Sequence, residues 1–188
     1  MKPFDSPQEL REWLRAHDID FSAWGQDSAK TVEHLWAEIS EGETRIELEP
    51  PRRVVNVVRL HIRRGSRLLI EAHQDFYGGQ RRARGRPPSE KMKPGESYRD
   101  AALRCLKEEL GVPQQDVLLL EDTYRRKTRQ ANSGSYPGLC THYTFHILQA
   151  EVRGLPRNDF STIEHNPGGS DPVHKHYWVW REVRRAWR

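Results

Sequence analysis

Cysteine, methionine and long apolar runs are all scarce in this 188-residue chain. The two cysteines, Cys105 and Cys140, are too few for a disulfide framework. No apolar run is long enough to cross a bilayer as a helix, so no membrane partner is expected. The opening Met1-Lys2-Pro3-Phe4-Asp5 leads into no hydrophobic stretch, and no secretory signal is expected there. Together these absences predict a reduced, cytoplasmic protein. The hydrophobic fraction is 35% against 31% charged. The apolar residues still recur periodically, which predicts a folded chain with a very polar surface rather than a disordered one. The length predicts one domain with an extension, large enough to bury a core without staples.

The net charge is only +4, but the cations are grouped. Arg81, Arg82, Arg84 and Arg86 fall in one stretch, followed by Lys91 and Lys93. Arg125, Arg126, Lys127 and Arg129 form a second group, and Arg181, Arg184, Arg185 and Arg188 a third. Such groups suit a phosphorylated or acidic partner, although each alone is also what a solvated face looks like.

Two helices are expected first. Ser6-Pro7-Gln8-Glu9 is a capping box with proline at the first helical position, and Leu10, Trp13 and Leu14 share a face. A second helix is predicted from Ala29 to about Ser40, capped by Ser28 and stopped by Gly42. Residues 1–43 are read as an N-terminal helical extension whose Trp13, Trp24 and Trp36 are core or interface anchors. From Thr44 onward the pattern turns to strands. They are expected at Thr44–Leu48, Arg53–Ile62, Arg67–His73, Val117–Tyr124, Thr141–Val152 and His174–Trp180. Phe76–Pro88, Arg125–Gly138 and Asn158–Pro172 are expected to be loops. Arg181–Arg188 is expected to form a short terminal helix. Strands on both sides of one central helix predict a mixed α/β sandwich over residues 44–188.

That central helix, from Ser97 to about Leu110, carries the strongest signal. Gly95 supplies a turn before it, Ser97 caps it and Gly111 stops it. Ala101, Ala102, Cys105, Leu106, Glu109 and Leu110 form its inward side, and Arg104 and Glu108 can pair one turn apart. Carboxylates one turn apart on a helix can hold a divalent cation against a phosphate.

Here the chain resembles the Nudix box, G-x5-E-x7-R-E-U-x-E-E-x-G-U, where U is a bulky aliphatic residue. Glu96 stands at the first glutamate, Arg104 at the arginine, Leu106 at the aliphatic position, Glu108 and Glu109 at the paired glutamates, and Gly111-Val112 at the close. The resemblance runs from about Arg53 to the end and includes Trp180 on the last strand. It implies a Nudix-like mixed-sheet α/β/α sandwich. It also implies Mg or Mn held by Glu96, Glu108 and Glu109, with Arg104, Gly95 and Gly111 in structural roles. Two positions depart from the pattern. Ser89 and Glu90 stand where the family has a glycine pair, and Cys105 replaces the glutamate after the arginine. A neutral thiol is a poor ligand for a hard cation. Carboxylates able to compensate are Glu90, Glu121, Asp122 and Glu164.

Two functional readings follow, with the arginines at 81, 82, 84, 86, 125 and 126 as the ligand-binding set. In the first, the site is impaired and holds no metal. The chain then binds a nucleotide, another phosphorylated small molecule or an acidic protein, and a homodimer is common among proteins of this appearance. In the second, the chain is a divergent Mg-dependent pyrophosphohydrolase of nucleoside diphosphates linked to another moiety. A nucleic-acid adaptor ranks third, because the net charge of +4 is modest, and no nucleic-acid-binding signature is present. His142, His146, His165, His174 and His176 are read as ordinary surface or core histidines rather than as a zinc site. Tyr77, Tyr124 and Tyr136 are candidates for stacking on a base.

Overall fold

The computed structural model of the chain describes residues 3–26, 29–165 and 173–183. Among them lie helices α1 (Pro7–Ala16), α2 (Val32–Ser40) and α3 (Tyr98–Leu110). The strands are β1 (Arg45–Glu47), β2 (Arg52–Arg64), β3 (Arg67–Phe76), β4 (Arg81–Arg86), β5 (Ser89–Lys91), β6 (Val117–Asn132), β7 (Cys140–Val152), β8 (Phe160–Ile163) and β9 (Val173–Glu182). The result is a mixed α/β fold. Its sheet runs in the order β6-β7-β2-β3-β9-β8, with β1 and β5 paired to β2 and β4 paired to β3.

The chain divides into two compact units. The first comprises residues 1–56, 91–95 and 127–144. Leu10 and Leu14 of α1 pack with Leu35 and Ile39 of α2 around Phe4, Trp24, Ile46, Tyr136 and Leu139. Trp24 is therefore a core residue, and its indole donates to the carbonyl of Pro137 at 2.8 Å. Tyr136 is fully buried here beside Trp24, so it is a core ring and not a platform for a base. Proline opens α1 as expected, and Ser6 accepts from the Glu9 amide. In α2 the cap is Thr31, with His34 closing the box from the third position. The expected cap, Ser28, lies outside the described residues. Beneath these helices Glu38, 1% exposed, binds Lys30 at 3.0 Å, Lys91 at 2.9 Å and Arg53 at 2.7 Å. Three cations on one buried carboxylate outweigh its desolvation and hold its pKa well below the usual range.

The second unit comprises residues 57–90, 96–126 and 145–188. Leu60, Ile62, Leu68, Leu69 and Trp178 are buried on its strands, with Ala101, Ala102, Cys105 and Leu106 buried on α3. Ser97 caps α3 by accepting from the Asp100 amide. Gly111 ends it in the left-handed region at φ 67, where a Cβ would meet His165 Nε2 at 2.9 Å. Gly95 also turns through positive φ, at 73.

Three expected loops are wholly or partly strand. The arginine-rich stretch before the box forms β4, because β3 offers it Asp75, Gln74 and Glu71 as partners. The cationic stretch Arg125–Arg129 continues β6, a strand at the end of the sheet order whose outward positions accept charge readily. Phe160–Ile163 pairs with β9. Arg181 and Glu182 belong to β9 rather than to a helix, and the remainder of the expected terminal helix, 184–188, lies outside the described residues.

Candidate functional site around the acidic helix

The box residues divide into two groups. On the outer side of α3 the Arg104 guanidinium forms a fork on Glu96, with Nε to Oε1 at 2.8 Å and Nη2 to Oε2 at 3.1 Å. Its Nη1 donates to Glu108 Oε2 at 3.1 Å and lies 3.9 Å from Glu90 Oε1. Burial opposes the cation, but the three carboxylates outweigh it and raise its pKa above the ordinary value. Arg104 thus gathers Glu96, Glu108 and Glu90, three of the sequence candidates. Ser89 and Glu90 sit in the short strand β5, where the family pattern has a glycine turn.

On the inner side lie Cys105 and Glu109. Cys105 is completely buried. Burial, then the nearby charges of Glu109 and Glu90, raise its thiol pKa well above normal, so it is a neutral packing group. Glu109 is 4% exposed, and its Oε2 has no hydrogen-bond partner among the described residues. Burial and the neighbouring Glu71 carboxylate push its pKa well above the carboxylate range. Its main-chain carbonyl accepts from Thr162 Oγ1, and Thr162 in turn accepts from the Trp178 indole at 2.8 Å.

Glu71 belongs to no motif in the sequence. It is 1% exposed on β3, and the equally buried His176 of β9 stands beside it. His176 Nδ1 is 2.6 Å from Glu71 Oε1, and its Nε2 is 3.0 Å from Glu164 Oε2. Both ring nitrogens face carboxylates, which accept only, so the ring is an imidazolium with two donors. Burial opposes that charge. The bonds to Glu164 and Glu71 overcome it and raise the His176 pKa to about 10. The other oxygen of Glu71 accepts from Arg84 Nε at 2.8 Å. Glu71 thus stays ionised despite its burial.

The strand register explains why these groups meet. Gln74 pairs with His176 and Glu71 with Trp178, with a register shift between Glu71 and His73. The bulge resets the alternation, so Glu71 and Gln74 are both buried although they are three residues apart. A pattern search on period two does not find that pair. A buried glutamate inside the apolar run Leu68-Leu69-Ile70-Glu71 was the available signal.

The ligand-binding candidates separate. Arg82 forks onto Gln74 Oε1 at 3.1 and 2.6 Å, Arg84 reaches Glu71, and Arg86 pairs across the strands with Glu71. Arg81 instead forms an exposed pair with Asp75 at 2.7 Å. Arg125 and Arg126 lie exposed on β6, where Arg126 faces His146. Of the other compensating carboxylates, Glu121 is bound by Arg99 at 2.6 Å and by the Tyr98 hydroxyl, and Asp122 is exposed. Tyr124 stacks on Tyr98 at 4.5 Å. Tyr77 is 59% exposed, with its ring 4.7 Å from that of His174. His142 faces Gln130 and His146 faces Tyr124, so these histidines form no common cluster.

A divalent cation fits this arrangement poorly. Among the described residues no cluster of three or more His, Cys, Asp or Glu has ligand geometry. Glu96 and Glu108 are committed to Arg104, Glu71 to Arg84 and His176, and the box's missing carboxylate is a protonated thiol. Among these described carboxylates, the unpartnered oxygen of Glu109 is the kind of atom a cation would satisfy.

A mixed α/β fold with a capped acidic helix set beside a buried carboxylate defines the class of protein. The model of the NUDIX domain matches residues 50–180, and the chain belongs to that family. Among solved structures it is similar to a C. elegans Ap4A hydrolase binary complex, with 18% identity, 68% of this chain and 80% of that one covered, and a TM-score of 0.39. It is also similar to the E. coli ORF135 protein, at 21% identity, 68% and 72% coverage and a TM-score of 0.35. A third is a NUDIX hydrolase from Nitrosomonas europaea, at 14% identity, 66% and 71% coverage and a TM-score of 0.39. The family assignment rests on the domain model. No curated protein matches the chain. No helix among the described residues is long and apolar enough to cross a membrane.

Proposed function

We propose that this chain is a Nudix protein whose box serves as scaffold, and that it binds a phosphorylated ligand without the cation-dependent hydrolysis usual to such a site. One observation carries the reading: of the three box carboxylates that would hold a cation, Glu96 and Glu108 are already neutralised by the chain's own cations, as is the neighbouring Glu71. Arg104 binds Glu96 and Glu108, while Arg84 and His176 bind Glu71. A divalent ion would have to displace buried, charge-assisted hydrogen bonds that are among the stronger polar contacts in proteins. Cys105 adds no charge to attract one. The arginines of β4 keep the other half of the family's chemistry, the affinity for phosphate oxygens. An acidic patch on a protein would meet the same arginines.

A second reading has one observation in its favour. The unpartnered Glu109 Oε2 lies in the field of Glu71, and a small cation placed between them would relieve both. In that case the chain is a divergent hydrolase of linked nucleoside diphosphates, with Glu109 as its remaining ligand. The two readings separate in a phosphorus-NMR assay of ADP-ribose and a dinucleoside polyphosphate, with magnesium or manganese present. The scaffold reading expects no turnover beyond that of Glu109→Gln. Turnover in the wild type that Glu109→Gln abolishes establishes the hydrolase.

A further inference from the structure

We propose that the free edge of β6 pairs with itself: a second copy of this chain adds its own β6 antiparallel to it, about a two-fold axis at Tyr124. The inference goes beyond the functional reading and does not depend on it. β6 ends the sheet order, and among the described residues β7 is its one strand partner. Its other edge therefore presents a row of main-chain N–H and C=O groups, the template a further strand pairs with. The strand is held in place from both neighbouring elements. The Thr123 hydroxyl accepts from the Gln149 amide of β7 at 2.9 Å, and the Tyr124 ring stacks on Tyr98 of α3 at 4.5 Å. A partner strand thus meets a preformed edge and has little of it left to order.

The order of charge along the strand selects the occupant. Charges on an edge guard it when a copy would meet its own sign. Here both signs are present, Asp122 before Tyr124 and Arg126 after it. Strand alternation sets Asp122, Tyr124 and Arg126 on one face. Asp122 and Arg126 are exposed, and neither makes a hydrogen bond or ion pair with a described residue. Glu121, by contrast, is already held by Arg99 and by the Tyr98 hydroxyl. In an antiparallel pair about Tyr124, Asp122 of each copy stands opposite Arg126 of the other, and symmetry makes that contact twice. The two Tyr124 rings meet at the axis, a favourable cross-strand pair. A parallel copy would set acid against acid and base against base, which is destabilising. A foreign strand of one charge sign would be repelled at one end of this stretch. The two-fold join uses the β6 edge of both copies, so association closes at the dimer.

The test is sedimentation equilibrium of the full chain across a concentration series, at low and at high salt. Wild type is expected to form a dimer and nothing larger, with a dissociation constant that rises with salt because exposed charge pairs are screened. Asp122→Arg makes this face of the edge wholly basic, and Arg126→Asp makes it wholly acidic. Each variant alone is expected to dimerise about tenfold or more weakly than wild type, since two attractions become two repulsions. An equal mixture of the two variants is expected to recover the dimer, because each then offers the other the opposite sign at both positions. Recovery in the mixture also shows that both variants are folded. Hydrogen exchange reads the same event at the main chain: amides within Val117–Arg126 should exchange more slowly in the dimer than in the monomer. A wild type that stays monomeric at low salt overturns the proposal. So does a dimer that both variants form as well as wild type, a mixture that recovers nothing, or a dimer in which the exchange of β6 is unchanged. Each of these failures leaves the scaffold reading to its own assay.

Discussion

Arg104 grips Glu96 with two parallel hydrogen bonds, Nε to Oε1 at 2.8 Å and Nη2 to Oε2 at 3.1 Å, joining the turn before α3 to the middle of the helix. The remaining nitrogen holds Glu108 one turn further on. Arg104→Gln leaves both glutamates without their cation in a half-buried setting. It is expected to cost about 2–3 kcal/mol, somewhat below the range for a fully buried pair, and Arg104→Lys to recover only part because lysine lacks the fork. Urea midpoints of the two variants check this.

Glu38 makes a parallel case in the first unit. With three cations on a carboxylate 1% exposed, Glu38→Gln leaves uncompensated positive charge and is expected to cost about 3–5 kcal/mol. The depressed pKa of Glu38 fixes the sign of the acid response. Its contribution is present above the unfolded carboxylate value of 4.5 and is lost as pH falls through the lower folded value. Glu38→Gln should therefore unfold with less acid dependence than wild type.

His176 predicts the opposite limb. Its folded pKa of about 10 lies above the ordinary 6.5, so its stabilisation is complete below 6.5 and fades as pH rises to about 10. Wild type should lose stability across that window, and His176→Gln should show a flatter profile. Denaturant midpoints at pH 6, 8 and 10 read the difference. Equal slopes would show that the imidazolium between Glu71 and Glu164 does not form.

The helix and its pairs were legible in the sequence because they are local. The Ser97 cap, the Gly111 stop and the Arg104–Glu108 pair follow from helical spacing alone. The β4 arginines read as a loop because no local pattern reveals that Asp75, Gln74 and Glu71 stand opposite them. The pairing of Glu71 with His176 is hidden for the same reason. They are 105 residues apart, and a bulge in β3 sets the register that joins them. His176 in isolation is one histidine among nine. Its meaning comes from two carboxylates supplied by distant segments.

Glu109 and Cys105 test the inner site. With no cation bound, Glu109→Gln removes a buried carboxyl that ionises at a cost. It should be neutral or stabilising by about 1 kcal/mol at neutral pH, a rise of about 2–4 °C in melting temperature for a chain of this size. Cys105→Glu places a further carboxylate beside Glu109, Glu90 and Glu71 and should destabilise by about 2–4 kcal/mol. Magnesium should restore melting temperature in Cys105→Glu and leave wild type unmoved. A wild-type melting temperature that rises with magnesium would mean the native site already holds the ion.

The central claim is that the chain's own cations have taken the place of the metal. Calorimetric titration of wild-type protein with magnesium and with manganese, with and without ADP-ribose, tests it most directly. The account predicts no specific cation binding and ADP-ribose binding that gains nothing from the cation. Cation binding in about the high-micromolar range or tighter, strengthened by ADP-ribose, would contradict it and make Glu109 and Glu71 the core of a working metal centre.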